Sequence, residues 1–252
     1  GFNKPKGINL KTEEEIKFIK EAGRMLREVK NIIKQNIVEG ITTKELDSIA
    51  ENAIYKLGGK PGFKGLYGFP GTICSSFNEE IVHGIPSSRK IKNGDILSVD
   101  CGVIYEEFNS DSAFTVSIGN IPSNIKTLIN TTEESLKLGI QEAKPGNHIG
   151  DIGHSIEKYS LSKGFSVVKE YVGHGIGKKL HEDPQIPNYG QKSSGPKILS
   201  GMALAIEPML IEGNEKTVVD EDGWTVKTAD SSMSAHFEDT IIITNDSFEI
   251  VT

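Results

Sequence analysis

The run His174-Gly175-Ile176-Gly177-Lys178-Lys179-Leu180-His181-Glu182-Asp183-Pro184 sets two histidines seven residues apart in a glycine-interrupted stretch. Glycines let a backbone approach closely and take unusual torsions at a crowded site. A histidine in such a loop is by itself an ordinary loop residue. Its company changes the reading. Upstream stand Asp100 and Asp111; downstream stand Glu207, just before Pro208, and Glu238 in Ser234-Ala235-His236-Phe237-Glu238. Four carboxylates and one histidine are what two hard or borderline divalent metals need as ligands.

Asp100 ends the apolar run Ile96-Leu97-Ser98-Val99, and Asp111 follows eleven residues later at the start of the next strand-like run. Antiparallel neighbours with that spacing can set both carboxylates on one face of a sheet. Burying a lone carboxylate is costly, so an aspartate in an apolar strand needs a partner. Asp111 taken alone reads equally as a turn cap or a surface ion pair. Four carboxylates in one pocket would repel and take up protons. Two divalent cations would balance them and lower the pKa of a shared water toward neutrality, supplying a nucleophilic hydroxide. An oxygen and nitrogen donor set without thiolate admits Mn, Fe, Co or Zn.

At 252 residues, with 36% hydrophobic and 25% charged residues, the chain reads as an ordinary globular protein able to bury a full core. The net charge of −7 argues against a surface devoted to DNA or RNA. Apolar runs such as Ile241-Ile242-Ile243 are too short to span a bilayer, and the first residues lack a charged-then-apolar leader. Cys74 and Cys101 form no framework and no CxxC pair, which fits a reducing cytoplasm and no structural zinc.

Thr12 with Glu15 opens a helix carrying Ile16, Ile19, Met25, Leu26, Val29, Ile32 and Ile33. Thr42 with Glu45 opens a second, which stops at Gly58-Gly59. A Gly/Pro-rich loop to Gly71 leads into strand-like runs at 73–77, 80–85, 96–104 and 108–118, with Asn93-Gly94 as a turn signal. The order then repeats. Helical stretches cover 123–143 and 148–163, and strand-like runs cover 166–172, 202–211, 217–219, 224–227 and 234–244. This order suggests an internal repeat in element sequence rather than in residue identity.

The ordered set His83-Gly84-Ile85-Pro86, Asp100, Asp111, His174 to Pro184, Glu207-Pro208-Met209 and Trp224-Thr225-Val226-Lys227-Thr228 closely resembles the type I methionine aminopeptidases, from about residue 8 to about residue 245. The resemblance implies an α+β pita-bread fold: a curved antiparallel sheet backed by helices, in two pseudo-symmetric halves of about 12–119 and 123–244. These make a single catalytic domain, 1–252. It implies that Asp100 and Asp111 bind one metal, that Asp111 and Glu238 bridge, and that His174 and Glu207 complete the second site. His83 and His181 would hydrogen-bond the scissile amide, and Glu207 would shuttle the proton. Phe63, Leu66, Phe69, Cys74, Leu180 and Trp224 match the methionine pocket. Read alone, these six are equally core packing, and Cys74 is either a reactive or an inert buried thiol.

Several positions depart from the family pattern. Leu66 and Phe69 stand where Tyr is often found, Leu180 where Phe is common, and His236-Phe237-Glu238-Asp239 where Gln-x-Glu-His is common. In a strand His236 and Glu238 share a face, so His236 reads as a partner of the ligands, an extra ligand, or a plain surface position. The expected activity is removal of the N-terminal Met from nascent chains with a small second residue, by a cytoplasmic monomer. Work on nascent chains would bring Arg89, Lys90, Lys92, Lys178 and Lys179 near ribosomal RNA; read by themselves they form a solvated face. Two rivals remain: an Xaa-Pro peptidase, which shares the ligand order but usually carries an extra N-terminal domain, and a metal-free binding module, which should have lost ligands.

Overall fold

The computed structural model describes residues 7–252; the reading of a leaderless N-terminus falls on the residues before these and lies outside them. In chain order come α1 (Glu13–Asn36), α2 (Thr43–Leu57), β1 (Lys60–Pro61), β2 (Ile73–Phe77), β3 (Glu80–Val82), β4 (Ile96–Tyr105) and β5 (Phe108–Ser117). Then follow α3 (Ser123–Gln141), α4 (Ile149–Ser162), β6 (Ser166–Val167), β7 (Gly173–Gly175), β8 (Glu182–Ile186), β9 (Ala203–Ile206) and β10 (Met209–Ile211). The chain ends with β11 (Thr217–Val219), β12 (Val226–Thr228), β13 (Ser234–His236), β14 (Asp239–Ile243) and β15 (Phe248–Ile250). No helix among the described residues is long and apolar enough to cross a membrane.

The first two helices start where their caps predict. Thr12 accepts from the Glu15 amide while the Glu15 carboxylate accepts from the Thr12 amide, and Thr42 accepts from the Glu45 amide. Gly58 closes α2 in the left-handed region, at φ 93°, where a side chain would be strained. The buried stripe of α1 (Met25, Leu26, Val29, Ile33) meets Leu46 and Ile54 of α2 and Leu97, Val99 and Val103 of β4. The same core continues through Leu136, Ile140, Ile152 and Ile156 of α3 and α4 to Leu204, Ile206 and Ile241.

Strands β4 and β5 pair along their full length, and β1 and β2 line the other edge of β4. The hairpin turns at Glu106-Glu107, both with positive φ (47° and 71°), the geometry of a tight two-residue turn. Asn93-Gly94 makes its turn earlier, before β4 begins. In the second half β15, β14, β9, β7 and β8 form an antiparallel sheet in that order.

Two runs that read as single strands are broken. The run 202–211 divides at Glu207-Pro208, where proline has no N–H to give the ladder, and 234–244 divides at Phe237-Glu238. At the second break the halves of the molecule are joined. Ala113 of β5 and Glu238 exchange two backbone hydrogen bonds. On either side the backbones part, and a threonine hydroxyl fills each gap. The Thr115 hydroxyl accepts from the His236 amide and donates to the His236 carbonyl. The Thr240 hydroxyl accepts from the Asp111 amide and donates to the Asp111 carbonyl. Each hydroxyl stands in for a missing peptide partner.

Candidate metal centre

Asp100 lies opposite Ala113, and Asp111 opposite Gly102, so period-two alternation puts both carboxylates on one face of the β4–β5 hairpin. His174 sits on β7 between Gln185 of β8 and Ala205 of β9. Its Nδ1 lies 2.9 Å from the Gly175 carbonyl, which takes that N–H and leaves Nε2 as the lone-pair atom. Nε2 points into the carboxylates, 3.4 Å from Asp111 Oδ2, 3.3 Å from Glu207 Oε2 and 3.6 Å from Glu238 Oε2. Glu207 and Glu238 occupy the two strand breaks. Release from the ladder lets both side chains aim inward.

Two ligand groups result. Asp111, His174, Glu207 and Glu238 offer atoms within 4.8 Å of one another, and so do Asp100, His236 and Glu238. Nine buried side-chain polar atoms among the described residues lack a hydrogen-bond partner, and six belong to this cluster: Asp100 Oδ1, Asp111 Oδ1, both Glu238 oxygens, and Nε2 of His174 and His236. Native proteins seldom leave such atoms orphaned without an ion or water to meet them. These donors fit divalent cations.

The electrostatics agree. Burial pushes the Asp100 carboxyl well up, and the Asp111 and Glu238 charges push it further. Glu238 is likewise raised, by burial first and then by Asp111 and Glu207. Burial works against ionising His174, yet its contacts with Asp111 and Glu207 hold its imidazole well above the usual value. Burial opposes ionisation of Glu207 too, but the contacts with Glu238 and His174 outweigh it and bring the carboxyl down to about 2. Without cations the cluster keeps protons in their place.

A cavity of about 280 Å³ opens onto Asp100, Asp111 and Glu207. Its walls include all six residues matched to the methionine pocket, together with His83 and His181. Phe69 and Trp224 meet edge to face at 5.2 Å. Burial lowers the pKa of both His83 and His181, and the nearby His174 lowers that of His181 further. The rings of His174 and His181 lie 4.5 Å apart. Tyr67, 81% exposed with φ 53°, also lines the cavity, and the sequence reading passed over it. Its only signal is its place between Gly65 and Gly68 in the glycine-rich loop.

His236 is 1% exposed and faces Asp100 and Glu238, so it is no surface position. Cys74 is buried, and burial together with the charges of Asp100 and Asp111 raises its thiol well above the ordinary value. A thiol raised in this way is held in its neutral form.

Known proteins carry the same plan. The chain is 51% identical to methionine aminopeptidase 1 of Bacillus subtilis over 245 residues, covering 97% of this chain and 99% of that one. The crystal structure of methionine aminopeptidase from Thermotoga maritima superposes with a TM-score of 0.96 at 44% identity, covering 97% and 99%. Prolidase from Pyrococcus furiosus shares the fold at a TM-score of 0.79 and 23% identity, but the chain spans only 65% of its length. The pita-bread architecture implied by the sequence is therefore the observed one. The profile of metallopeptidase family M24 matches residues 17–245, and the chain belongs to that family.

Proposed function

We propose that this chain is a methionyl aminopeptidase: a metal-dependent hydrolase that removes the N-terminal Met of new polypeptides whose second residue is small. The observation that carries the reading is an apolar, aromatic-walled cavity that ends directly on an orphaned acidic cluster. A flexible thioether suits such walls. The free α-amine of the substrate faces the carboxylates, so only the first residue is removed.

Asp100, Asp111 and Glu238 would hold one divalent cation, and His174 and Glu207, with Asp111 and Glu238 shared, a second. When bound, the cations supply Lewis acidity and a water ionised near neutral pH. The protein side chains do the rest. Glu207, whose carboxyl the contacts with Glu238 and His174 bring low against the effect of burial, accepts the proton of the attacking water and hands it to the leaving amine as the C–N bond breaks. His83 and His181, held below the usual imidazole value, are neutral at pH 7 and donate hydrogen bonds to the scissile amide as charge builds on its oxygen. The whole chain acts as one catalytic domain, as a monomer in the cytoplasm. Transient contact with the ribosome would run through Arg89, Lys90, Lys92, Lys178 and Lys179.

The test is release of the first residue from Met-Ala-Ser and Ala-Pro-Ala by chelated protein refilled with Mn, Fe, Co or Zn in turn. Metal-dependent cleavage of the Met peptide alone supports the reading. Cleavage of only the proline peptide assigns the Xaa-Pro chemistry instead. Glu207→Gln should fold and lose most turnover; near-wild-type turnover, with metal content confirmed, would refute its role.

A further inference from the structure

The family ligand set explains five of the side chains in the cluster and leaves His236 over. We infer that His236 is an additional metal ligand, binding through Nε2 to the cation shared by Asp100 and Glu238; this rests on the metal-centre reading above. Nε2 is buried and has no hydrogen-bond partner, and Asp100 Oδ1 and both Glu238 oxygens are in the same condition. Asp100, His236 and Glu238 each present a donor atom, all within 4.8 Å of one another. Metal–nitrogen and metal–oxygen bonds of about 2.0–2.2 Å allow donors on one ion to stand up to about 4.4 Å apart. Closing the set around an ion therefore takes only a few tenths of an ångström.

The side chain is aimed by its backbone, and the backbone is pinned. Thr115 Oγ1 bonds the His236 amide at 2.9 Å and the His236 carbonyl at 2.8 Å. The same hydroxyl sits 2.8 Å from Ser98 Oγ on the neighbouring strand. His236 is not among the residues that line the substrate cavity. An unpaired imidazole nitrogen buried among carboxylates is unfavourable unless something meets it. One ion meets it together with the orphaned oxygens.

The chemical consequence is metal preference. Without His236 the Asp100 site offers protein oxygens only, a set that suits a hard ion such as Mn. With an imidazole added, both sites carry one nitrogen, and borderline ions such as Co and Zn gain at the Asp100 site.

The experiment counts imidazoles on the metal in the wild-type holoenzyme. Protein loaded with two equivalents of Co(II) is examined in water by proton NMR, where each metal-bound imidazole gives one strongly shifted, exchangeable ring N–H signal. Two such signals are expected, from His174 and His236, and His236→Gln should lose one. In calorimetric titrations H236Q should weaken Co binding at one site at least tenfold more than it weakens Mn binding. A merely structural role would weaken both alike. A single N–H signal in wild-type protein holding two Co(II) overturns the inference and leaves the metal centre standing, whether or not H236Q folds. Failure of wild-type protein to bind Co(II) at all overturns both.

Discussion

Replacing Thr240 by Val isolates the contact that seats Asp111. Valine keeps the shape of threonine and removes the hydroxyl. That hydroxyl is the partner of both the Asp111 amide, at 3.0 Å, and the Asp111 carbonyl, at 2.7 Å, in a site with no solvent access. Leaving one buried polar group unmet costs about 1–3 kcal/mol, so Thr240→Val should cost about 2–4 kcal/mol. For a chain of this size that lowers Tm by roughly 5–15 °C. Thr240→Ser is the control: it keeps the hydroxyl and deletes a methyl, for about 1 kcal/mol. The assay is thermal and urea unfolding of chelated protein, followed by Mn(II) titration. The valine variant should also bind Mn more weakly, because Asp111 loses its backbone anchor, whereas the serine variant should bind as the wild type does. Equal losses for Val and Ser, or a Val loss below about 0.5 kcal/mol, would show that the hydroxyl bridge does not hold Asp111.

Three further outcomes are expected. Asp100, Glu238 and His174 have raised folded-state values, so the stability they contribute is full below their ordinary values of 3.8, 4.5 and 6.5 and fades as pH rises. Glu207 is lowered, and its contribution is lost only in acid. The Tm gain on adding Mn(II) should therefore grow between pH 5 and pH 9, and a gain independent of pH would contradict the buried-proton account. Gly84→Ala would drive a Cβ into the Ser75 carbonyl oxygen, so the segment carrying His83 must shift. Turnover of a Met peptide should fall at least tenfold, and an unchanged kcat in folded variant would dissociate His83 placement from catalysis. Trp224→Ala removes the edge partner of Phe69 and widens the cavity. The ratio of kcat/KM for Met over Phe substrates should drop about tenfold or more, and a preserved ratio would mean that Trp224 does not shape the pocket.

The helices were legible because their signals are local. Thr12 with Glu15, Thr42 with Glu45, and Gly58 mark ends that the fold respects. The strands β2, β4 and β5 followed their apolar runs. The ligand-type residues stood out through their order along the chain, which resembles that of a known family; Asp111 read alone suits a turn cap or a surface ion pair as well. The break at Phe237-Glu238 was not legible, since apolar residues continue on both sides; that at Glu207-Pro208 had its signal in Pro208, which the single-strand reading of 202–211 passed over. Nothing in the residues around 106–107 announces a tight turn; the strand register imposes positive φ on two glutamates. The Thr115 and Thr240 hydroxyls escaped notice because their partners lie 121 and 129 residues away. Strands β7 and β8 were missed for a related reason. Gly173-His174-Gly175 has no strand propensity and is held extended by β9 and by β8.

The seam between Ala113 and Glu238 also sets a timetable. Asp100 and Asp111 leave the ribosome long before Glu238, which lies 127 residues beyond Asp111. Until His174, Glu207 and Glu238 emerge in turn, the hairpin carries two carboxylates with no histidine and no glutamates to share a cation with them. A growing chain therefore holds an incomplete cluster until Glu238 has emerged. A fragment truncated before Glu238 would keep the acidic pair and lose the backbone pairing with Ala113 that joins the halves.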